Sequence, residues 1–282
     1  MLYLVATPIG NMEDISLRAL RVLKEVDLIA AEDTRHALKL LNHYGIKKPL
    51  TSYHKYSRDN KACFIIEEIL KGKNVALISD AGSPGISDPG EDIVKLAIKN
   101  NINITMIPGP VAAITGLVLS GFPASRFVFE GFLPYNKRLR KERILSFKNE
   151  TRTIVLYEAP HKLLNTLRDL FNLIGERKVV LARELTKKFE DLIRCTLSEA
   201  IEKYETEAPI GEFVIILEGS SEEALLEEKR KRWDTLNIEE HVDFYLKQGK
   251  NKKEAIKNAA SDRGIAAREV YNQLIKNKNL KN

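Results

Sequence analysis

A chain of 282 residues, 44% of them hydrophobic, is long enough to bury a full core, as one large domain or two modest ones. Its apolar runs span only four to six residues and no basic segment leads an apolar stretch at the N-terminus, so neither a membrane span nor a signal peptide is expected, and a cytoplasmic location is. The net charge of +6 is uneven: from Glu227 onward 14 Lys and Arg face 9 Asp and Glu, and before it 31 face 30, which places the basic surplus in the tail.

In chain order, apolar runs predict strands at Leu2–Ala6, Asp27–Ala31, Val75–Ile78 and Ile104–Ile107. Between them, Leu17, Leu20, Val22 and Leu23, and then Ile65, Ile66, Ile69 and Leu70, recur at helical spacing and predict core-facing helices over 16–26 and 62–70. This alternation is the signature of βαβ units and a mainly parallel sheet. Gly121-Phe122-Pro123 ends a helical pattern, and a domain boundary is placed there, giving an N-terminal domain over 1–122 and a second α/β domain over 123–220. The second domain opens with a more aromatic stretch at Arg126-Phe127-Val128-Phe129, and strands are expected beyond it at Thr153–Tyr157, Lys178–Ala182 and Phe213–Leu217. Its helix over 161–175 carries Leu163, Leu164, Leu167, Leu170, Phe171 and Ile174 on one face. From residue 221 to 282 no strand pattern survives. A charged helix through Glu227–Arg232 and short helices over 238–248, 252–261 and 267–275 form a basic helical tail.

Three Gly- and Pro-bearing turns directly follow strands: Thr7-Pro8-Ile9-Gly10-Asn11, the Ser79–Gly90 segment, and Pro108-Gly109-Pro110-Val111-Ala112-Ala113. Open α/β sheets bind ligands beyond the carboxyl ends of their strands, so the three read as walls of one cleft. The first turn has one glycine and matches neither G-x-G-x-x-G nor a Walker A loop. Asp80, at a strand end, is placed either to accept a ligand hydroxyl or amine or to cap a turn. Glu32-Asp33-Thr34-Arg35-His36 is too polar for a structural strand end, although a capping role for Asp33 or Thr34 explains part of it. Glu158 and His161, then Arg183, Glu184 and Lys187, occupy comparable strand-end positions in the second domain; taken singly each fits an ion pair or a cap better than a catalyst, and together they suggest a polar wall facing the first cleft. Cys63 and Cys195, with no further Cys or His at ligand spacing, exclude a disulfide scaffold and a structural zinc site; both are expected to be buried thiols, and no metal is expected.

The order Thr7-Pro8-Ile9-Gly10-Asn11, Ala31-Glu32-Asp33-Thr34-Arg35-His36, Ser79-Asp80-Ala81-Gly82, Asp88-Pro89-Gly90, Pro108-Gly109-Pro110, Glu130-Gly131-Phe132-Leu133-Pro134 and Ala182-Arg183-Glu184-Leu185-Thr186-Lys187 closely resembles the ribosomal RNA small subunit methyltransferase I family. That family is a branch of the tetrapyrrole methylase-like, class III S-adenosylmethionine-dependent methyltransferases. The resemblance spans roughly residues 2 to 219. Tetrapyrrole-acting relatives carry a G-x-G-P-G-type first turn, and Thr-Pro-Ile-Gly-Asn in its place favours the RNA branch. The resemblance implies a two-domain tetrapyrrole methylase-like α/β fold, with an N-terminal mainly parallel sheet bearing helices on both faces and a C-terminal mixed sheet. It also implies methyl transfer from S-adenosylmethionine to the ribose 2′-oxygen of cytidine 1402 in 16S ribosomal RNA, with S-adenosylhomocysteine as product.

By motif position the resemblance puts Pro8, Ile9, Gly10, Asp80, Ala81, Gly82, Ser83, Val111, Ala112, Ala113, Tyr157 and Ala182 around the cofactor. For the base or its hydrogen-bond network Asp33 comes first, with Arg35 and His36 positioning phosphate or ribose, then Glu158 and Glu184. Ribosomal RNA in the small subunit is the expected partner. It would be held by Lys137, Arg138, Arg140, Lys141 and Arg143 of a basic segment over the cleft and by Lys252, Lys253 and Arg268 of the tail, or else both segments are solvated helix faces. A homodimer is expected, and no membrane partner. Two other readings stay open: a methyltransferase of the same fold acting on a tetrapyrrole-like small molecule, and a non-catalytic RNA-binding factor.

Overall fold

A computed structural model describes residues 1–53, 58–88, 90–221, 233 and 236–280, with the backbone alone for 58–60 and 277–280. Pro89 and the charged run Glu227–Arg232 lie outside the described residues. The chain divides into two compact units, Met1–Lys148 with Arg152–Glu218, and Asn149–Thr151 with Gly219–Asn282.

The first unit contains two five-stranded sheets. In the first, β1 (Leu2–Val5), β2 (Leu28–Ala31), β3 (Leu50–Ser52), β4 (Val75–Ile78) and β5 (Ile104–Ile107) are parallel, in spatial order β3-β2-β4-β1-β5. Alternate side chains leave opposite faces of a strand, so a sheet covered on both sides needs strands that are apolar throughout, as β2 and β4 are. Helices α1 (Leu17–Glu25) and α2 (Thr34–His43) cover one face over Val5, Ile29, Ala31, Ala76 and Ile78. Helices α3 (Arg58–Leu70) and α4 (Gly90–Lys99) cover the other over Leu2, Leu4, Leu28, Ala30 and Leu77. Leu17 and Leu70, expected in core stripes, are exposed because they fall on the first and last residues of their helices, beyond the packed face. Cys63, expected buried, is also exposed, on the solvent side of α3.

The second sheet is mixed, in order β6-β7-β10-β8-β9, from β6 (Phe127–Phe132), β7 (Thr153–Glu158), β8 (Lys178–Arg183), β9 (Asp191–Thr196) and β10 (Phe213–Leu217). Only β6 and β7 pair in parallel. One face packs on α6 (Lys137–Ser146), α7 (Pro160–Ile174) and α8 (Leu197–Thr206), with Ile144, Leu163, Leu167, Leu170, Leu197 and Ala200 against Ile154, Leu156, Leu181 and Ile215. Phe171, expected on that stripe, is partly exposed at its edge. The other face packs on α5 (Ala112–Ser120), where a Cβ at Gly116 would lie 3.2 Å from Val214 and 3.3 Å from Ile216. The expected boundary at 122/123 therefore falls between α5 and β6, inside one compact unit.

The second unit is helical: α9 (Ile238–Lys247), α10 (Lys252–Arg263) and α11 (Ala267–Leu280) bury Val242, Ala255, Ile256, Ala259, Ala260 and Val270. Asn237 and Asn251 cap α9 and α10, and Gly264 ends α10 in the left-handed conformation. His241, 0% exposed, stacks on Trp233 with centroids 3.9 Å apart. Arg263 Nε donates to its Nδ1 at 3.0 Å, which leaves the proton on Nε2, 3.3 Å from Asp262. Burial, then the Arg263 charge, holds the imidazole below its ordinary pKa despite Asp262. Among the described residues no helix is long and apolar enough to cross a membrane.

Candidate active site

Because β4, β1 and β5 are neighbours, the three Gly and Pro turns that follow them lie side by side at the carboxyl edge of the first sheet. Thr7 and Gly82 exchange backbone hydrogen bonds of 2.9 and 3.1 Å, tying the first turn to the second. Ser83 Oγ donates to Pro110 O at 3.2 Å, tying the second to the third. Gly82 sits at φ +80°, and a Cβ there would press on Ile9 and the Pro110 carbonyl, so both the turn and the contact require glycine. A side chain at Gly109 would meet Ala6 Cβ at 2.7 Å.

These turns form one wall of a cavity of about 490 Å³. Ile9, Asp80, Ala81, Gly82, Ser83, Val111, Ala112, Tyr157 and Ala182, all expected around a cofactor, line it. Pro8, Gly10 and Ala113, also expected around a cofactor, are not among its lining residues. The Ala113 N–H donates to Tyr157 Oη at 3.1 Å, and burial raises the Tyr157 pKa, so the phenol stays protonated. A Cβ on Gly10 would lie 2.5 Å from Lys187 Cγ, 2.7 Å from Thr186 Oγ1 and 2.8 Å from the Leu185 carbonyl. Glycine there is set by the approach of the 184–187 loop, in which Glu184 and Thr186 hold φ of +51° and +63°.

Of the expected catalytic residues, Glu158 and Glu184 line the cavity and Asp33, Arg35 and His36 do not. The Asp33 carboxylate caps α2, accepting from Arg35 N at 2.8 Å, and pairs with the Arg35 guanidinium at 2.8 Å. The Arg35 side chain, before all other causes, holds its pKa down to about 2. Its backbone N–H donates to Asp80 Oδ1 at 3.0 Å, so Asp33 supports the site through main chain. The preceding residue, Glu32, is the one that lines the cavity, and burial first, then Asp80 and Asp88, raise its carboxyl pKa.

Glu158, 5% exposed, accepts from Ala159 N at 2.9 Å and from Thr166 Oγ1 at 2.5 Å. Arg140 reaches the same Thr166 hydroxyl with Nη2 at 2.7 Å and holds Asp169 with Nε at 2.8 Å. Its side chain is 17% exposed, which makes it an internal tie where sequence suggested a phosphate contact. Arg143, also expected to face RNA, pairs with Glu130 at 3.1 Å. Lys137, Arg138 and Lys141 are exposed on α6, and Lys252, Lys253 and Arg268 are exposed in the second unit. On the opposite wall Lys187 Nζ bridges Glu184 and Glu212, each at 2.9 Å. Burial alone would raise the Glu184 pKa and lower that of Lys187. The Glu212 N–H and Lys187 outweigh it for Glu184, and Glu212 and Glu184 outweigh it for Lys187, so both stay charged.

Phe132 and Glu212 line the cavity without having been expected there, and Glu32 and Asp88, which also line it, were expected only as members of longer motifs with no role of their own. Glu32 carried the same strand-end signal as Asp33, and Phe132 was within a quoted motif. Among the described residues no group of three or more His, Cys, Asp or Glu is placed to hold a metal ion.

Comparison with known proteins agrees with this architecture. The model of the tetrapyrrole (corrin/porphyrin) methylases matches residues 1–201. Proteins called ribosomal RNA small subunit methyltransferase I are 46% identical in Halalkalibacterium halodurans, over 96% of this chain and 93% of that one, and 46% identical in Bacillus subtilis, over 96% and 92%. The Synechocystis protein of that name is 43% identical over 96% of each. The fold is shared with a cobalt precorrin-4 methyltransferase, at TM-score 0.60 and 15% identity over 77% of this chain and 94% of that one. It is shared too with a uroporphyrin-III C-methyltransferase from Thermus thermophilus solved with S-adenosylhomocysteine, at TM-score 0.56 and 16% identity over 76% and 96%. This chain belongs to the tetrapyrrole methylase family, in its ribosomal RNA small subunit methyltransferase I branch.

Proposed function

We propose that the protein transfers a methyl group from S-adenosylmethionine to a ribose 2′-oxygen of 16S ribosomal RNA, at cytidine 1402 of the decoding centre. The observation that carries this reading is the near full-length similarity, at 46% identity, to a ribosomal RNA small subunit methyltransferase I protein. The cavity suits the cofactor chemically. Its volume is in the range of small-molecule sites, Ile9, Val111, Ala112, Ala182 and Val214 offer apolar surface, and Glu32, Asp80 and Asp88 offer negative charge to a cationic ligand. When bound, the cofactor supplies an electrophilic methyl on a sulfonium.

The protein's task is alignment and proton handling. The three tied turns fix one wall and the Glu184–Lys187–Glu212 bridge stiffens the other. The 2′-hydroxyl must lose a proton as its oxygen reacts. Glu32 is the carboxylate best suited to accept it, because its raised pKa makes it a stronger base than Asp33, whose carboxylate is held by Arg35. Glu158, anchored by Thr166 and the Ala159 N–H, orders the hydrogen bonds at the same cavity. Lys137, Arg138 and Lys141, with Lys252, Lys253 and Arg268, supply phosphate contacts, and binding weakens as salt rises. The exposed apolar side chains Ile114 and Val118 on α5 and Met106 on the edge strand β5 support a homodimer, and a cytoplasmic location follows from the substrate.

Incubation with methyl-labelled cofactor and small ribosomal subunits, or with tetrapyrroles, tests the reading. Label entering RNA is expected. Label entering only tetrapyrrole favours the small-molecule enzyme, and RNA binding without transfer favours the non-catalytic factor.

A further inference from the structure

Phe132 stands where a regular strand would not put it. In β7, Ile154 and Leu156 face the helical layer of α6 to α8, and Val155 and Tyr157 face the opposite layer. Val128 pairs with Ile154 and Phe129 with Val155, so uninterrupted alternation would send residue 132 to the Val128 face, into the buried layer. A bulge between Phe129 and Gly131 adds one residue, and Phe132 pairs with Tyr157 instead, on the cavity face. Gly131 holds φ +63°, and the pair Arg143–Glu130 braces the bulge. The result is a row of rings. Phe129 and Phe132 lie 5.2 and 5.6 Å from Tyr157, which the Ala113 N–H anchors, and Phe132 lines the cavity while remaining 57% exposed.

Three residues further on, Tyr135 is 87% exposed and carries Lys162 Nζ 3.7 Å from its ring centroid. Lys137, Arg138 and Lys141 follow at once on α6. Two water-exposed rings followed by cations is the composition of a single-strand nucleic-acid site, in which ring faces take bases and ammonium groups take phosphates. A ribose inside a folded RNA also reaches a recessed cavity only if its nucleotide is turned out of the stack, and the extruded base then needs a flat partner.

We propose that Phe132 is the stacking platform for the extruded base of the target nucleotide, with Tyr135 and Lys162 receiving the adjacent nucleotide. This rests on the RNA-methylating reading above. The bulge at Gly131 is then a device that turns a core-facing strand position into a substrate-facing one.

The test compares wild type with Phe132→Leu, which keeps apolar bulk without a ring face, and Phe132→Trp, which restores one. Methylation of small ribosomal subunits and calorimetric binding of S-adenosylhomocysteine are both measured. Phe132→Leu is expected to lower kcat/KM for subunits by about 5- to 150-fold, chiefly through KM, the range measured for one base–aromatic stack. Phe132→Trp is expected to recover most of that loss, and both variants to bind S-adenosylhomocysteine as wild type does. Unchanged kcat/KM in Phe132→Leu while wild type methylates RNA overturns the platform and leaves the function standing. A parallel loss of S-adenosylhomocysteine affinity also overturns it, by moving Phe132 into the cofactor pocket. A wild type that transfers no methyl to RNA overturns both.

Discussion

Replacing Thr166 by valine keeps a buried, branched side chain and deletes a single hydroxyl, which isolates the hinge of the Glu158 network. That hydroxyl donates to Glu158 Oε2 at 2.5 Å and accepts from Arg140 Nη2 at 2.7 Å, so two charged, largely buried groups lose a partner together. A hydrogen bond to a charged group contributes about 1.5–3 kcal/mol, and a partner left unsatisfied in the interior costs about as much again or more. Arg140 keeps Asp169 and Glu158 keeps the Ala159 N–H, so neither is stranded, and a total near the single-bond range is expected. For a unit the size of Met1–Lys148 with Arg152–Glu218, about 1.5–3 kcal/mol lowers Tm by about 3–12 °C. Differential scanning calorimetry measures this, with Thr166→Ser as the control that keeps the hydroxyl and most of the stability. The same variant should lower kcat for methyl transfer more than it raises KM, because it frees Glu158 without touching α6's exposed cations. A Tm within about a degree of wild type, with kcat intact, would refute the claim that this network holds the site.

Other outcomes follow from the same geometry. Gly10→Ala drives a Cβ against the Leu185 carbonyl and the 184–187 loop, an overpacking cost of about 1–3 kcal/mol, and should weaken S-adenosylhomocysteine binding in calorimetry; unchanged affinity and Tm would contradict the close approach. Native protein treated with a chromogenic disulfide should react quickly at exposed Cys63 and slowly at Cys195, whose thiol burial, with Glu199 and Glu176, pushes up to about 11; two fast thiols would contradict this. The second unit should be acid-sensitive. The folded His241 pKa lies below its ordinary 6.5, so its contribution to stability is complete above that pH and is lost as pH falls through 6.5 toward the folded value. Trp233, the only tryptophan and stacked on that imidazole, reports the change by fluorescence, and a transition centred above pH 6.5 would contradict the sign.

The parts of the site made by local chemistry were legible in the sequence. Gly and Pro immediately after an apolar run mark a strand end wherever they occur, so the three turns could be found before their neighbours were known. That β4 lies beside β1 and β5, which brings the turns together, depends on crossover connections that no local pattern encodes. The short β3 and the charged β9, Asp191–Thr196, escaped because three residues are too few for a period and an edge strand carries Asp and Arg at its exposed positions. Glu32 and Asp33 differ by one residue, and the backbone bend into the α2 cap decides which carboxylate enters the cavity. Arg140 and Arg143 look like free cations in a basic run. Their partners, Asp169 and Thr166 on α7 and Glu130 on β6, are supplied only by tertiary packing. Phe132 was hidden for a similar reason, since a single inserted residue reverses the face of everything after it.

The central claim, methyl transfer to a ribose oxygen of small-subunit RNA, is tested most directly by the chemistry of the labelled product. Alkali cleaves RNA through the free 2′-hydroxyl, and a methyl on that oxygen blocks cleavage at the next phosphodiester. Small subunits labelled by this protein with methyl-tagged cofactor should therefore yield, after alkaline hydrolysis, the label in a cleavage-resistant dinucleotide that begins with 2′-O-methylcytidine. Label recovered in ordinary mononucleotides, or on the base itself, would contradict the account.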